Sequence, residues 1–246
     1  MTMIEFKDIK KRYHDNFQLS IAQLALNKGE IIGFVGNNGA GKTTLFRLIL
    51  DLTKPDSGEV TINGKNVCDS DEWRLQTSCY LDDGFLLGYM DIMEFLAFKA
   101  EMYNMSRSEF DTRFNKWKVL FGENERFKGT LIKDLSTGNK QKVGIISAAI
   151  FSKDLLILDE PFNYLDPSSQ IKIMNLLNEL NRECGTTILF SSHNLDYVAE
   201  LSKRVILLEN GTIHADLDTK QTDVKTHLKD YFLSFSTTDP MMQTIL

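Results

Sequence analysis

The fold is decided by Gly36-Asn37-Asn38-Gly39-Ala40-Gly41-Lys42-Thr43-Thr44. The stretch fits the pattern G-x-x-x-x-G-K-[S/T], in which glycines let backbone N–H groups turn inward around a polyphosphate. The apolar run at 30–35 predicts a buried strand before it, and residues 45–50 predict a helix start after it. Lys42 is expected to reach the β- and γ-phosphates, and the Thr43 hydroxyl to ligate Mg²⁺. The stretch therefore predicts a nucleotide-binding strand–loop–helix unit, against the alternative of a glycine-rich turn that binds nothing.

Composition bounds the class of protein. The 246 residues suffice for one large domain or two small ones, and 42% hydrophobic with 25% charged residues is typical of a globular protein. Lys plus Arg number 28 against 34 Asp plus Glu, so the net charge is 28 − 34 = −6, which argues against a dedicated nucleic-acid binder. Three cysteines without metal-type spacing predict a reduced, cytosolic protein. Neither a signal peptide nor a membrane-spanning helix is expected from the patterning.

Hydrophobic periodicity predicts an α/β fold, namely a P-loop NTPase core with an N-terminal antiparallel β layer and an inserted all-helical subdomain. Strand-type alternation dominates residues 1–65, helical periodicity begins near residue 85, and strands alternate with helices again from residue 155. We assign residues 1–84 and 150–216 to the core, 85–149 to the helical subdomain, and 217–246 to a C-terminal tail of unknown role. The aromatic and methionine side chains of the insertion are either core or an exposed docking surface for a partner helix.

A strand that ends in two carboxylates supplies a candidate metal ligand and a candidate base. The apolar run Leu155–Leu158 is followed directly by Asp159 and Glu160. In P-loop ATPases the strand beside the P-loop strand delivers an Asp to the Mg²⁺ shell, which is Asp159 here. Glu160, one residue further, is placed to polarise the attacking water as general base.

Two further segments carry candidate phosphate contacts. Ser136 and Gly138 precede an apolar helix, where a hydroxyl, backbone N–H groups and the helix dipole can form a second anion site. The alternative is that Ser136 only caps this helix. His193 follows the last core strand and can contact a γ-phosphate, although a lone histidine there also fits a structural role.

The order of these motifs resembles the ATP-binding subunit of ABC transporters over residues 1 to about 215. Gly36–Thr44 matches Walker A, and Leu155–Glu160 matches Walker B with its catalytic glutamate. His193 falls at the switch histidine, and Tyr13 falls where the family stacks an aromatic ring on adenine. The remaining matches are the signature motif at Leu135–Gln141 and the D-loop at Asn163–Asp166.

This resemblance implies ATP and Mg²⁺ as cofactors and a composite site. Two such subunits sandwich two ATP molecules head to tail, so Ser136 and Gly138 of one chain would bind the γ-phosphate held by the P-loop of the other. Closure and hydrolysis would drive a separate membrane permease. The implied partners are thus a permease and a second ATP-binding subunit, in a homodimer or a heterodimer, at the cytoplasmic face of the membrane. No nucleic-acid partner is expected.

Two departures from the family pattern affect this expectation. Asp83 stands where the family places a Gln that contacts Mg²⁺ and water; a carboxylate can ligate Mg²⁺ but cannot donate a hydrogen bond when ionised. The signature reads Ser-Thr-Gly-Asn-Lys, which resembles exporters of the ABC-2 group and predicts export.

Two other functions stay open at this point. One is a soluble ABC-type ATPase that acts on nucleic acid or ribosomes, and the other is a regulatory module that binds nucleotide without hydrolysis. The short helical insertion and the single P-loop favour a transporter. The intact set of Lys42, Asp159, Glu160 and His193 favours hydrolysis.

Overall fold

The computed structural model describes residues 1–13, 17–122 and 129–236, with side chains described up to residue 233. Part of the predicted helical subdomain (123–128) and part of the predicted tail (237–246) therefore lie outside the described residues. The division into core, helical subdomain and tail stays a prediction. None of the described helices is long and apolar enough to cross a lipid bilayer.

The first of two sheets in the described part of the chain is a four-stranded antiparallel layer with the order β2-β1-β4-β5. Its strands are β1 (Thr2–Arg12), β2 (Gln18–Asn27), β4 (Ser57–Ile62) and β5 (Lys65–Asn66). Asn63 and Gly64 join the last two at φ 52° and 77°, which are the left-handed conformations that a tight two-residue hairpin needs. The antiparallel β layer predicted for the N-terminal region is confirmed.

The second sheet has six strands in the order β10-β9-β3-β8-β7-β6. They are β3 (Ile31–Val35), β6 (Thr77–Tyr80), β7 (Leu155–Leu158), β8 (Thr187–Ser191), β9 (Arg204–Glu209) and β10 (Thr212–Asp218). All neighbours pair in parallel except the edge strand β10, which is antiparallel to β9. The crossovers that this order requires place helices on the sheet faces, as in other parallel sheets.

The helices of the described residues are α1 (Lys42–Ile49), α2 (Ile92–Met102), α3 (Arg107–Trp117), α4 (Thr137–Ala149), α5 (Pro167–Cys184), α6 (Leu195–Leu201) and α7 (Val224–Ser236). Between residues 85 and 149 the named elements are α2, α3, α4 and short 3₁₀ turns, so the described part of the insertion is helical as predicted. The predicted α/β fold class is confirmed. Helix α7 adds an ordered element where the sequence pattern was too weak to assign one.

The core consists of two apolar clusters on opposite faces of the six-stranded sheet. Alternation along β7 sends Leu155 and Ile157 to the cluster shared with α1 and the β layer, while Leu156 and Leu158 join the cluster shared with α4 and α5. All four side chains are fully buried. Because both faces are covered, the ends of the parallel strands are the part of this sheet left for a ligand.

Candidate active site

Three parallel strands deliver the predicted site residues to one edge of the sheet. Strand β3 ends at Val35 and leads into the loop at 36–41, β7 leads into Asp159, and β8 ends at Ser191, shortly before His193. Neighbouring parallel strands end on the same side, so these segments converge although up to 157 residues separate them along the chain (36 to 193).

The phosphate loop requires glycine for steric and conformational reasons. Gly36 has φ 156°, and a Cβ added there would lie 2.3 Å from the carbonyl oxygen of Leu208. Gly41 has φ 109° and is the N-cap of α1, and a Cβ there would lie 2.8 Å from Leu19. The loop is thus closely packed from outside, while residues 38–44, including the N-terminus of α1, line a cavity in which an anion can be bound.

Lys42 crosses the loop from the first turn of α1. Its side chain is 7% exposed, and its Nζ donates to the carbonyl oxygen of Gly36 at 2.7 Å and to that of Asn37 at 3.4 Å. The nearest carboxylate oxygen, Oε1 of Glu160, is 3.9 Å away. A buried ammonium needs an anionic partner, and a polyphosphate in this loop would supply one.

Asp159 links the loop to strand β8. It is 9% exposed, its Oδ2 accepts a hydrogen bond from the Thr43 hydroxyl, and its Oδ1 accepts one from the Ser191 hydroxyl. The predicted metal ligands Thr43 and Asp159 are therefore adjacent. Sequence reasoning assigned no role to Ser191, because its contact with Asp159 depends on how β7 and β8 are paired.

The oxygen donors at Thr43 and Asp159 fit Mg²⁺. Mg²⁺ prefers hard oxygen ligands and is usually held by one or two carboxylates together with phosphate oxygens and water. Within the described ranges, no group of three or more His, Cys, Asp or Glu residues could hold a metal on its own. The hydroxyl of Thr43 and the carboxylate of Asp159 therefore suit an Mg²⁺ ion that also binds phosphate oxygens.

Glu160 and His193 are in direct contact. Nδ1 of His193 lies 3.0 Å from Oε2 of Glu160; the carboxylate side chain is 23% exposed and the imidazole 63%. Glu160 has φ 46°, an uncommon conformation for a residue with a side chain, and its N–H donates to the Ser191 hydroxyl at 2.8 Å. The two residues predicted as base and switch histidine are thus hydrogen-bonded to each other, and Glu160 also forms an ion pair with Lys42 at 3.9 Å.

Two adjoining cavities surround this cluster. One, of about 350 Å³, is lined by Phe17, the loop residues 38–44, Asp159 and Glu160. The other, of about 530 Å³, is lined by loop residues 36–38 together with Glu160, Asn163, His193, Leu195 and Phe232. Phe232 belongs to α7, so the region predicted as a tail of unknown role reaches the site. No motif in the sequence indicated this.

The predicted adenine contact, Tyr13, lies outside the two cavities, and its role stays a prediction. Tyr13 lies just beyond β1 and does not line either cavity; its ring centroid is 6.4 Å from that of Phe17. Phe17 itself lines the cavity beside the loop, and its ring would touch a Cβ added at Gly41 at 3.2 Å. An aromatic residue just before β2 was the available signal, but only the pairing of β1 with β2 shows which ring faces the loop.

Ser136 and Gly138 lie at the N-terminus of α4 and line neither cavity. The Ser136 hydroxyl accepts from the N–H of Asn139 at 3.4 Å, which is an N-cap contact. A Cβ added at Gly138 would lie 2.6 Å from the carbonyl oxygen of Tyr164, so the D-loop backbone packs directly on this glycine. Within one chain these two residues are therefore not among those that line the cavities at the P-loop.

Asp83 also lies apart from the P-loop cluster. It begins a short 3₁₀ turn, is exposed, and accepts a hydrogen bond at 2.9 Å from the hydroxyl of Tyr80. It lines neither of the two cavities. A metal-binding role for Asp83 stays a prediction.

The fold and the site together define a P-loop ATPase with an added β layer and a helical insertion. The chain belongs to the ABC transporter family, whose profile, described as "ABC transporter", matches residues 19–163. ATP-binding domains of this family are ATPases that use ATP and Mg²⁺, so the predicted enzyme class and cofactors are confirmed at this level.

Curated relatives are ATP-binding proteins of importers. The methionine import ATP-binding protein MetN 1 of Listeria monocytogenes is 32% identical over 218 residues, which cover 85% of this chain and 64% of that protein. MetN 1 of Bacillus thuringiensis subsp. konkukian is 29% identical, with 99% of this chain and 75% of that protein covered. The chain thus spans somewhat under two thirds of the length of the Listeria protein.

Solved structures with the same fold are also ATP-binding cassettes. The ATP-binding subunit of an ABC transporter superposes with a TM-score of 0.84 at 28% identity, covering 96% of this chain and all of that one. A dimeric cassette, MJ0796, bound to ADP and Pi in a post-hydrolysis state, gives 0.76 at 25% identity, covering 88% and 99%. These structures are similar to the present chain across nearly its whole described length.

Proposed function

We propose that this chain hydrolyses MgATP and so powers a membrane ABC transporter as a peripheral subunit at the cytoplasmic face of the membrane. The observation that carries the proposal is the convergence of Lys42, Thr43, Asp159, Glu160 and His193 at one sheet edge. These are the groups that binding and hydrolysis of a nucleoside triphosphate require.

Each residue has a role that its contacts support. Lys42 would neutralise the β- and γ-phosphates in place of its present loop carbonyls, and Thr43 with Asp159 would hold Mg²⁺. Glu160 would accept the proton of the attacking water. His193 lies 3.0 Å from the Glu160 carboxylate and would orient that carboxylate toward the γ-phosphate. Mg²⁺, when bound with ATP, would offset the charge of the phosphate oxygens.

A second ATP-binding subunit completes the proposed site. Ser136 and Gly138 stand at the N-terminus of α4, a position suited to an anion, yet they line neither of the two cavities at the P-loop of their own chain. The cavity of about 530 Å³ over residues 36–38 leaves room for such a contact from a partner. The solved relative MJ0796 is described as a dimer, which supports the same arrangement here.

The proposed membrane partner is a permease that contacts the surface around α2. Exposed apolar side chains at Phe85, Tyr89, Phe98 and Met102 lie on this region, with exposures of 37%, 70%, 41% and 57%. Exposed apolar side chains of this kind suit the apolar face of a coupling helix. The cassette cbiO1 of Clostridium perfringens, described as part of the transporter complex cbiONQ, has a TM-score of 0.75 to this chain.

Export, predicted from the signature sequence, is not supported by the relatives, which are named for methionine import. The proposal is therefore limited to powering transport. The soluble nucleic-acid ATPase and the regulatory module are not favoured, because the family and the intact catalytic set both point to a hydrolysing transporter subunit.

The test is Glu160→Gln in the full chain, with ATP binding and turnover measured together. We expect turnover to fall by about 100-fold or more, because the general base is lost, while ATP affinity stays within about twofold. The matched control is Glu200→Gln, on the exposed face of α6, which should leave both quantities unchanged. Turnover of Glu160→Gln equal to wild type would overturn the assignment of the base.

A further inference from the structure

A chain of side-chain hydrogen bonds runs from Asp83 to the backbone of Glu160. The hydroxyl of Tyr80 lies 2.9 Å from Oδ1 of Asp83 and 3.3 Å from Oε1 of Gln141. Nε2 of Gln141 in turn donates to the carbonyl oxygen of Glu160 at 3.0 Å. Asp83 is exposed, whereas Tyr80 and Gln141 are 2% and 7% exposed. This series of hydrogen bonds therefore connects a surface loop to the proposed general base.

The backbone of Glu160 is held by side chains from two other elements. Its N–H donates to Ser191 at the end of β8, and its carbonyl oxygen accepts from Gln141 in the first turns of α4. The residue sits at φ 46°, a conformation that persists only when neighbouring groups fix it. A change at Gln141 would therefore alter the direction of the Glu160 carboxylate without touching it.

Tyr80 is fixed in place and limited to one donated proton. A Cβ added at Gly144 would lie 2.2 Å from the ring of Tyr80, so this ring packs on a glycine of α4 and cannot shift toward it. Burial, together with the hydrogen bond to Asp83, raises the pKa of Tyr80, so the hydroxyl keeps its proton. That single proton faces two acceptors, and the shorter bond is to the carboxylate.

We propose that Gln141 is a positioning residue for Glu160 and that Asp83 controls it through the hydroxyl of Tyr80. While Asp83 accepts the Tyr80 proton, the hydroxyl does not polarise the amide of Gln141, whose Nε2 still donates to the Glu160 carbonyl oxygen. When Asp83 turns away, the hydroxyl donates to Oε1 of Gln141, which polarises the amide and strengthens its bond to Glu160. This inference rests on the proposed role of Glu160 in ATP hydrolysis, and it gives Asp83 a function other than metal binding.

The first experiment measures kcat and KM for MgATP with the full chain carrying Gln141→Glu. This variant keeps the size of the side chain but loses the Nε2 donor, so we expect kcat to fall about tenfold with KM within about twofold. Gln141→Leu removes the polar group altogether and should give a similar fall. A kcat within twofold of wild type in both variants would overturn the positioning role, whereas an unaffected Glu160→Gln variant would instead overturn the proposed function.

The second experiment is a double-mutant cycle between Asp83→Ala and Tyr80→Phe. If Asp83 acts through the hydroxyl, Asp83→Ala should change kcat about threefold or more in the wild-type background and have no effect when Tyr80 is Phe. If Asp83 acts by binding Mg²⁺, its effect on kcat and on the Mg²⁺ requirement should persist in the Tyr80→Phe background, and the proposal fails.

Two matched variants control for loss of structure. Tyr103→Phe removes another largely buried tyrosine hydroxyl, one that donates to the carbonyl oxygen of Thr77 at 3.2 Å and not to the chain of bonds described above. In the Tyr103→Phe background the effect of Asp83→Ala should be unchanged. Asp82→Ala alters the same loop at a residue that accepts from the N–H of Gly84, and its effect should not depend on Tyr80. Equal coupling in the controls would also overturn the proposal.

Discussion

The two halves of the proposed ATP site differ in how completely one chain builds them. The P-loop half is assembled at the ends of three neighbouring parallel strands, where Lys42, Asp159, Glu160 and His193 already contact one another or their neighbours. The signature half stands alone at the N-terminus of α4, where Ser136 contacts only its own helix among the bonds described. The sheet edge therefore positions the hydrolytic groups within a single chain. The signature half, by contrast, needs a second chain in order to contact a phosphate.

The largest expected effect on ATP binding tests the P-loop half alone. Lys42→Ala removes the buried ammonium, and we expect ATP affinity to fall by roughly 10- to 100-fold, since a hydrogen bond to a charged group contributes about 1.5–3 kcal/mol. Isothermal titration calorimetry with ATP measures this. Lys10→Ala, at an exposed lysine of β1, is the control and should bind ATP as the wild type does. Equal binding by Lys42→Ala would show that the loop does not hold the phosphates.

A second prediction asks which aromatic ring of the protein contacts the adenine ring of ATP. We expect Phe17→Ala to weaken ATP binding by about 5-fold or more, because stacking of a base on an aromatic ring contributes about 1–3 kcal/mol, and to leave binding of inorganic triphosphate unchanged. Tyr13→Ala is the comparison. Should Tyr13→Ala produce the larger loss, the ring predicted from the sequence is the adenine contact and the cavity-lining Phe17 is not.

A third prediction separates the signature half from the P-loop half. Ser136→Ala should leave ATP affinity of the single chain unchanged but lower turnover several-fold, since the hydroxyl would act on the phosphate of a partner chain. Ser106→Ala is the matched control, because Ser106 caps α3 through the same kind of bond, to the N–H of Glu109 at 3.2 Å. Both changes remove a helix cap and should cost about 1 kcal/mol of stability. A parallel loss of turnover in Ser106→Ala would mean that capping alone explains the effect.

The same contrast explains what the sequence could predict. Lys42, Thr43 and Asp159 were predictable because a motif fixes their spacing and parallel strands must end together. Other features depend on pairing or packing between segments that are distant in sequence. They are the hydrogen bond from Ser191 to Asp159, the position of Phe17 rather than Tyr13 beside the loop, and the position of Phe232 at the site. Asp83 was identified by alignment with a family position, but its bond to Tyr80 depends on the packing of the buried ring against Gly144.

The smallest expected effect concerns how the helical insertion is attached to the core. Lys99 of α2 is largely buried where α2, α4 and β6 meet, and its Nζ donates to the carbonyl oxygen of Ser147 at 2.7 Å. Burial lowers the pKa of Lys99 to about 8. The folded chain therefore loses this proton at a lower pH than the unfolded chain, in which the pKa of lysine is about 10.4. Below pH 8 the buried charge costs stability, and this cost shrinks as the pH rises above 8.

Lys99→Met keeps an unbranched side chain and removes the charge, so we expect it to raise the free energy of unfolding at pH 7 by on the order of 1 kcal/mol. The gain over wild type should become smaller between pH 7 and 9, because the wild type then sheds its buried proton. Urea unfolding of the wild type and of Lys99→Met at several pH values measures this difference.

The nearby thiol of Cys79 does not complicate the measurement, because burial raises its pKa to about 11 and it is still protonated in this range. A gain that does not change with pH would show that the ammonium is compensated by Ser147 and by the rings of Phe95, Tyr103 and Phe151, whose centroids lie 5.4–5.9 Å from Nζ.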